Sequence, residues 1–453
     1  MRAPDGPERP GPRVRPMRIL IAVHSYPPGS VGGAEQRAER TARALHARGH
    51  QVRVLSVHRR RGASGPGVAD ETYRQIAVRR LWLTDEHEPA FAESYDNAQV
   101  AATLRRLLDE WRPDLVHQFS GYLSSSAVVA TSRALGIPVV VSLTDYWWLC
   151  HRVTLVRTLG EACGGASPPA CALCRAQRRR RLRWPGRVAP RLLARAWRAA
   201  DATRLTARVA GLEEQRRRST LLGARLADAQ LLLAPSEYVA AAYRRHGVDA
   251  ARLRVMRQGV EGAQRLERTG TGGLRVGYLG QIKRHKGVDL LVDAWAGLRD
   301  SQAHRLTLVG SSAGEDAYRQ QLQQRTAGWP AVSWQGALAR DEIWSALSRL
   351  DIVVVPSRWA ENSPNIILEA QAVGVPVVGA RIGGIPELVA HRVNGLLFEP
   401  DDAADLAAQL HALIDEPGLL GSLRQAARPV RTVQDEVAEL IRAYETLTAG
   451  STR

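Results

Sequence analysis

The sequence predicts an α/β protein of two domains, each built on a parallel β-sheet with helices on both faces. Three observations predict this fold class. The chain has 453 residues, more than one typical core encloses. Short apolar strands alternate with amphipathic helices along most of it, as they do in parallel sheets. The alternation falls into two series, separated by residues 263–273, a stretch without apolar periodicity.

The first series begins with Met17–Val23, a near-continuous apolar strand of the kind that is buried on both faces of a parallel sheet. A loop rich in proline and glycine follows, and a helix over residues 34–48 leads to the strand Val52–Val57. Gly49 marks the end of that helix, where glycine is favoured. The later elements of this series are the strands Ile76–Leu83, Asp114–Gln118, Pro138–Leu143 and Leu253–Met256, a strand that ends at Ala234, and the helices Gln99–Trp111 and Ser124–Leu135.

The second series begins at Leu274, with helices between most of its strands. The strands are Leu274–Tyr278, Arg305–Val309, Val332–Gln335, Ile352–Val355, Pro376–Gly379 and Gly395–Phe398. An amphipathic last helix, Val433–Thr448, is expected to pack back on the first domain. The predicted organisation is a disordered tail at 1–16, an N-terminal domain at 17–262 with an insertion at about 150–228, a linker at 263–273, a C-terminal domain at 274–428 and a closing helical segment at 429–453.

Composition limits the classes of function. Apolar residues make up 45% of the chain, and no apolar run approaches the length that spans a bilayer. The run Ile19–Val23 is too short for the core of a signal peptide, so a cytoplasmic protein is expected. The formal net charge is +18, and ten arginines without an acidic residue lie between Arg175 and Arg198. This segment is either a solvated helix face or a peripheral contact with anionic headgroups at the inner membrane face.

All four cysteines lie in one short segment. They are Cys150, Cys163, Cys171 and Cys174. In a reducing compartment, such a cluster favours a metal site over disulfides. Thiolates prefer tetrahedral Zn²⁺, and the Cys-x-x-Cys spacing of the last two suits that geometry, so a structural zinc ion is predicted. Free buried thiols and a facultative disulfide are the alternatives.

Candidate phosphate-binding residues follow strands in both domains. Gly32 and Gly33 open the first helix, whose N-terminal N–H groups and dipole suit a phosphate. Lys286 follows the first strand of the second series, where its ammonium group would neutralise charge on a leaving phosphate. In open α/β sheets, ligands bind at the carboxyl ends of the strands, which is where all three residues are expected.

Two carboxylates form a second candidate site. Glu361 and Glu369 are eight positions apart, and Pro364 between them suits the first turn of a helix. Glu361 is therefore predicted in a loop and Glu369 inside the helix, with the amides of Asn365 and Ile366 directed toward the cleft between the domains. Carboxylates accept hydrogen bonds from the hydroxyls of a sugar or a ribose.

These motifs, in this order, resemble the GT4 family of glycosyltransferases, which has the GT-B fold of two Rossmann-like domains facing a cleft. The resemblance covers about residues 17–448. The motifs that carry it are Gly32-Gly33-Ala-Glu35, Pro113-Asp-Leu-Val-His117, Ala234-Pro-Ser236, Gly280 with Lys286-Gly287, Pro356-Ser357, the Glu361/Glu369 pair, Gly383-Gly384-Ile-Pro-Glu387 and Asn394-Gly395. Each motif is short, but their joint occurrence at this spacing is specific.

The resemblance implies retaining transfer of a hexose-type sugar from a UDP- or GDP-sugar to a glycan, lipid-linked or small-molecule acceptor, with no metal required for the transfer. The family pattern assigns the donor diphosphate to Lys286, the hydroxyls of the donor sugar to Glu361 and the ribose to Glu369. The other expected donor contacts are Gly32, Gly33, Gly280, Gln281, Asn365 and Ile366.

The chain departs from the family pattern at three places. Pro364-Asn365 stands where the family has Gly-Leu in the second carboxylate motif, which removes one amide donor. Gln281 stands where many members have an arginine that assists the lysine, and Arg284 or His285 is a candidate to replace it. Thr144 stands where many members have a histidine near the donor sugar. The candidates for that polar role are Asp145, His117 and His151, so the predicted catalytic residues are Lys286, Glu361, Asp145 and His117.

Three other functions compete with this interpretation. A nucleotide-sugar epimerase of the same fold would convert its donor without an acceptor. A glycoside hydrolase would use Glu361 and Glu369 as acid and base, but it needs no diphosphate site. A nucleic-acid-binding protein would explain the basic charge. Aromatic residues for stacking near the arginines are chiefly Trp184 and Trp197, so no nucleic acid is expected as a partner.

Overall fold

The structure, a computed structural model, describes most of both predicted domains. The described residues are 15–28, 32–60, 67–84, 90–158, 163, 165, 167–178, 188–189, 192, 195, 211–261, 272–299, 303–427 and 429–449. Most of the predicted tail, most of the predicted linker and most of the arginine-rich segment lie outside these residues. Within them, no helix combines the length and the apolar character needed to cross a membrane.

The first domain is a three-layer α/β unit. Its strands are β1 (Arg18–His24), β2 (Gln51–Arg60), β3 (Gly67–Tyr73), β4 (Ile76–Thr84), β5 (Leu115–Phe119), β6 (Val139–Ser142), β7 (Leu231–Ala234) and β8 (Leu253–Val255). They form one sheet in the order β3-β4-β2-β1-β5-β6-β7-β8. Only the edge strand β3 is antiparallel to its neighbour. Its described helices are α1 (Gly33–His46), α2 (Ala98–Trp111), α3 (Ala127–Ala134), α4 (Pro168–Ala176), α5 (Leu212–Asp228) and α6 (Glu237–Arg245).

The second domain repeats this plan with a smaller sheet. Its strands are β9 (Arg275–Leu279), β10 (Arg305–Val309), β11 (Val332–Gln335), β12 (Ile352–Val355), β13 (Val377–Ala380) and β14 (Gly395–Phe398). All are parallel, in the order β11-β10-β9-β12-β13-β14. The helices that follow in the chain are α7 (Val288–Trp295), α8 (Asp316–Thr326), α9 (Glu342–Ser348), α10 (Asn365–Ala372), α11 (Ile385–Leu388), α12 (Ala403–Asp415), α13 (Leu419–Gln425) and α14 (Val433–Ala449).

The last helix returns to the first domain, as the sequence predicts. Val437, Leu440 and Tyr444 of α14 belong to the same buried cluster as Ile21 of β1 and Leu45 of α1. The apolar stripe of α14 therefore closes the core of the first domain, and removal of these side chains from water stabilises the association. The chain crosses between the two domains twice, once before β9 and once before α14.

The predicted strand positions are confirmed in both sheets, with one omission. The edge strand β3 lacks an apolar alternation, and the side chains along its middle are exposed. It is held by its antiparallel pairing with β4, from Gly67 opposite Trp82 to Tyr73 opposite Ile76. Periodicity cannot find such a strand, because neither of its faces contributes to a core.

Candidate active site

Loops at the carboxyl ends of β1, β9 and β12 meet between the two sheets. Gly33 starts α1 just after β1, Lys286 lies in the loop after β9, and Glu361 lies in the loop after β12. This is the edge at which open parallel sheets bind ligands. The predicted positions of Glu361 in a loop and of Glu369 in a helix are both observed.

Lys286 and Glu361 form an ion pair in this cleft. The Nζ atom of Lys286 donates to Oε1 of Glu361 at 2.7 Å, and the hydroxyl of Ser357 donates to the same oxygen at 2.6 Å. The ammonium group also lies 4.7 Å from the centre of the Trp359 ring, in cation–π geometry. The pair is therefore held by a hydroxyl and an aromatic face, with the carboxylate buried and the ammonium group partly exposed.

Two glycines allow the loops that carry this pair to approach other backbone closely. Gly287 has a φ of 69°, and a Cβ placed there would lie 1.9 Å from the carbonyl oxygen of Pro356. Gly383 has a φ of 63°, and its Cβ would lie 2.4 Å from the carbonyl oxygen of Glu361. Any side chain at either position would push one of these loops away, so the glycines fix the separation of Lys286 from Glu361.

The start of α10 faces the first domain. The helix begins at Asn365 after Pro364 and has no side-chain cap, so its first N–H groups are available to a ligand. The amide nitrogen of the Asn365 side chain lies 3.9 Å from where a Cβ of Gly33 would be. A diphosphate at this point would touch both domains. Gly280 and Gln281 are exposed at the end of β9.

Glu369 lies one turn further along α10 and is 2% exposed. One of its oxygens accepts a hydrogen bond from Arg340, which precedes α9. His285 packs its ring against Trp359, and burial followed by the charge of Lys286 lowers the pKa of His285 to about 4. His285 is therefore neutral at physiological pH and is a poor replacement for the family's arginine. The Arg284 guanidinium lies over the Tyr318 ring.

The first domain contributes Asp145 and a His24–Glu35 pair to the opposite wall. Asp145 accepts hydrogen bonds from the Ser120 hydroxyl at 2.5 Å and from the Trp147 N–H at 2.8 Å. Burial raises the pKa of Asp145, although these hydrogen bonds oppose the rise. His24 Nε2 lies 3.2 Å from the carboxylate of Glu35. Burial lowers the pKa of His24, but the hydrogen bond to Glu35 and the charges of Glu35 and Asp145 outweigh burial and raise it overall.

The two walls are joined by polar contacts. The side-chain amide of Asn362 donates to the carbonyl oxygen of Thr144 at 2.5 Å. The carboxylate of Glu387 accepts from the N–H groups of Glu237 at 3.0 Å and Tyr238 at 2.7 Å, and so caps α6 of the other domain. Arg257 donates to the same carboxylate at 3.0 Å. The Gly-Gly-Ile-Pro-Glu motif therefore contributes to docking of the domains.

The structure is at odds with the predicted catalytic role of His117. Its ring has no exposed surface, and both nitrogens are used, Nδ1 with the Tyr444 hydroxyl at 2.5 Å and Nε2 with the Ser142 hydroxyl at 2.8 Å. Burial and then the charge of Arg37 hold the pKa of His117 well below its usual range. A neutral, fully bonded imidazole between β5 and α14 fixes the last helix in place and cannot reach a substrate.

The cleft also contains buried polar atoms, some of them on residues that the sequence analysis names and some on residues that it does not. Several have no hydrogen-bond partner among the described residues, and they are the hydroxyl of Thr144, Oδ1 of Asn362, Oδ1 of Asn365, Nδ1 of His24, Nη2 of Arg340 and all three guanidinium nitrogens of Arg40. Burial of such atoms costs free energy unless a ligand or a water molecule forms hydrogen bonds with them. The sequence motifs point to Thr144 and Asn365, but they do not show that these atoms are buried without partners.

The four cysteines come together in the first domain. All four are free and line one small pocket, which they share with His151. Burial and then the nearby arginines lower the pKa of His151 to about 3, and its ring lies with the cysteines instead of taking the polar role considered for it. In the described part of the chain, no three His, Cys, Asp or Glu side chains are arranged around one metal position. Zinc therefore stays a prediction.

Comparison with known proteins gives the family. The family model described as glycosyl transferase 4-like domain matches residues 32–208, and the model described as glycosyl transferases group 1 matches residues 273–416. Glycogen synthase of Mycobacterium tuberculosis is 27% identical over 427 residues, which are 91% of this chain and 89% of that protein. GDP-mannose-dependent alpha-mannosyltransferase of Corynebacterium glutamicum is 24% identical over 418 residues, 89% of this chain and 82% of that one.

A solved structure supports the fold. The crystal structure of Anabaena HepE in complex with UDP has a TM-score of 0.60 at 20% identity and covers 96% of this chain and 99% of that one. The chain belongs to the GT4, group 1 family of glycosyltransferases and has the GT-B fold. The protein is an enzyme of the glycosyltransferase class, as the sequence motifs predict.

Proposed function

We propose that the protein transfers a hexose-type sugar, with retention of the anomeric configuration, from a UDP- or GDP-sugar to a hydroxyl of a glycan, lipid-linked or small-molecule acceptor. The observation that carries the proposal is the Lys286–Glu361 pair, at 2.7 Å, beside the uncapped start of α10 and opposite Gly33. A cation, helical N–H groups and a glycine from the other domain suit a diphosphate. The carboxylate suits sugar hydroxyls.

Donor binding would exchange partners within this pair. The diphosphate would draw the ammonium group of Lys286 from the carboxylate, and the hydroxyls of the donor sugar would take its place on Glu361. Ser357 donates to the same oxygen at 2.6 Å and would hold the carboxylate in position during the exchange. The geometry of the carboxylate therefore does not depend on Lys286 alone.

The chemistry then consists of leaving-group stabilisation. As the bond between the anomeric carbon and the phosphate oxygen breaks, negative charge grows on the diphosphate, and Lys286 and the N–H groups of α10 stabilise it. The acceptor oxygen attacks the anomeric carbon on the face that the phosphate leaves, and the departing phosphate oxygen takes the acceptor's proton. No protein nucleophile is needed, and Asp145, with its raised pKa, lines the opposite wall as a hydrogen-bonding group.

A panel of nucleotide sugars tests the proposal. The true donor should raise the melting temperature of the wild-type protein by binding linkage. Lys286→Met should lose most of this rise, whereas Lys283→Met, three residues away in the same loop, should keep it. Once an acceptor is found, NMR of the product gives the anomeric configuration. An inverted product would reject the retaining mechanism, and conversion of the donor without any acceptor would indicate an epimerase.

The arginine-rich segment supports a lipid-linked acceptor and a membrane contact. The charge of Arg175–Arg198 would suit a lipid-linked acceptor beside anionic headgroups. Sedimentation with vesicles that contain phosphatidylglycerol, compared with neutral vesicles, tests this contact directly. Binding that is equal to both kinds of vesicle would contradict it.

A further inference from the structure

Two buried arginines lie one turn apart on α1, and only one of them is paired. Arg37 is 2% exposed, and its guanidinium donates to Glu436 at 2.7 Å and to the carbonyl oxygen of Met256 at 3.2 Å. Arg40 is 4% exposed, yet none of its three guanidinium nitrogens has a partner among the described residues. Arginine presents five N–H donors and a permanent charge, so its burial without acceptors is costly.

The charged groups around Arg40 come from four other elements of the chain. They are Arg340 before α9, Glu369 in α10, Glu261 after β8 and Glu436 in α14. The three carboxylates are bonded to other arginines, Glu436 to Arg37 at 2.6 Å, Glu261 to Arg43 at 3.1 Å and Glu369 to Arg340. Burial and then the charge of Arg340 lower the pKa of Arg40, against the effect of the three carboxylates. Arg40 is therefore a buried cation that holds none of these carboxylates itself.

Arg40 is placed beside the expected position of the nucleotide. Gly33 and Arg40 lie two turns apart on one face of α1, and Gly33 faces Asn365 at the start of α10. Arg40 is close enough to Glu369, one turn further along α10, for its charge to act on the arginine. The helices α1 and α10 thus flank the same space, with the diphosphate end at Gly33 and the ribose end at Arg40 and Glu369. Nη2 of Arg340 is a further buried donor without a partner there.

We propose that Arg40 is a donor-binding residue of the first domain, whose guanidinium holds oxygen atoms of the ribose–phosphate portion of the nucleotide. This inference rests on the proposed function, since the ligand is the nucleotide of the sugar donor. Glu369 accepts hydrogen bonds from the ribose hydroxyls, and Arg40 and Arg340 donate hydrogen bonds to ribose and phosphate oxygens, which a carboxylate cannot do. The nucleotide would then bridge the domains through Arg40 on one side and α10 on the other.

Arg40→Met, compared with Arg37→Met on the same helix, tests the proposal. Loss of an unpaired buried charge should raise the melting temperature of the ligand-free protein, by roughly 2 °C. Loss of a paired one, in Arg37→Met, should lower it. Calorimetry should show that Arg40→Met binds UDP or GDP, whichever the wild type prefers, roughly 10- to 100-fold more weakly. The affinity of Arg40→Lys should lie between those of the wild type and Arg40→Met, because lysine keeps the charge but lacks the planar guanidinium group.

The outcomes separate the inference from the proposed function. If the wild-type protein binds neither UDP nor GDP, the proposed function fails and this inference fails with it. If the wild type binds but Arg40→Met binds within about twofold of it, Arg40 is no ligand contact and only the inference is overturned. A lower melting temperature of Arg40→Met would also overturn it, because it would show that Arg40 stabilises the folded protein without any ligand.

Discussion

The cleft has an N-terminal wall, formed by the first domain, and a C-terminal wall, formed by the second domain. The two walls hold their polar groups in different ways. On the C-terminal wall, each carboxylate that the donor would contact is already bonded to a cation, Glu361 to Lys286 and Glu369 to Arg340. On the N-terminal wall, Asp145 is bonded only to neutral groups, and the guanidinium of Arg40 has no partner among the described residues. On the C-terminal wall, both carboxylates thus have a cationic partner before any ligand binds. On the N-terminal wall, the cation Arg40 has no carboxylate partner among the described residues.

This difference indicates that the two walls have different roles in donor binding. A wall whose charges are paired keeps its geometry without a ligand, and so it can position a donor. A wall with an unpaired buried charge, such as Arg40, reaches its lowest free energy only when a ligand supplies the missing partners. Donor binding should therefore stabilise the contact between the domains, which agrees with the general role of closure in excluding water from a transfer reaction.

The largest expected effect concerns the four cysteines, whose segment follows Asp145 of the N-terminal wall. The N–H of Cys150 donates to the carbonyl oxygen of Tyr146 at 2.7 Å, one residue after Asp145, so the first cysteine lies in the turn that follows Asp145. If the four cysteines bind zinc, elemental analysis should find one zinc ion per chain. Chelation should lower the free energy of unfolding by about 4 kcal/mol when free zinc is at a thousandfold its Kd.

Cys171→Ser provides the matched variant for this prediction, since its thiol lines the shared pocket. It should retain less zinc than the wild type and respond less to the chelator. Zinc-free wild-type protein with an unchanged melting temperature in chelator would show that the thiols are simply buried and free.

The next largest effect is expected when the Lys286–Glu361 ion pair on the C-terminal wall is broken. Lys286→Met removes the cation that would stabilise the leaving diphosphate, and kcat should fall roughly 10²- to 10³-fold, as on loss of one transition-state donor. Glu361 would keep the Ser357 hydrogen bond, but its buried carboxylate would lose its cation, so the melting temperature should fall as well. Steady-state kinetics with the identified donor provide the measurement, and Lys283→Met is the control. A kcat close to that of the wild type would exclude Lys286 from the chemistry.

The C-terminal wall could be predicted from sequence because its residues directly follow apolar strands. Lys286 and Glu361 come after β9 and β12, so the strand pattern alone places them at the same sheet edge. Arg40 could not be found in this way. A charged residue on an amphipathic helix is normally exposed, and Arg40 is buried only because α10 and α14 cover α1 from distant parts of the chain. The N-terminal wall is built by tertiary contacts that periodicity does not report.

Arg40 was missed by the sequence analysis, whereas His117 was predicted in the site and lies outside it. Its place in the Pro-Asp-Leu-Val-His motif at a strand predicts a polar role near the donor, but in β5 it pairs in register with Ile21 and Val140 of the neighbouring strands. Its side chain is directed toward α14, where the Tyr444 hydroxyl meets it. The sequence does not indicate which face of β5 the last helix covers.

A smaller effect follows for stability. His117→Gln should lower the free energy of unfolding by about 2 kcal/mol, because it disturbs buried hydrogen bonds to Tyr444 and Ser142. Donor kinetics should stay within about twofold of the wild type. Urea denaturation measures the first quantity. Tyr444→Phe in a double-mutant cycle isolates the hydrogen bond between the two rings, and a loss of kcat without loss of stability would restore the catalytic role to His117.

The smallest effect is a dependence on pH that distinguishes the walls. The pKa of His24 is raised above its usual 6.5 by Glu35 and Asp145, against the effect of burial. A raised pKa in the folded state means that the His24–Glu35 pair stabilises the protein fully below pH 6.5 and that this contribution is lost as the pH rises through the folded pKa. The pair should contribute about 1 kcal/mol. His24→Gln should therefore flatten the profile of melting temperature against pH above 6.5, whereas His46→Gln, an exposed control on α1, should not. Identical profiles for wild type and His24→Gln would show that His24 and Glu35 form no titrating ion pair on the N-terminal wall.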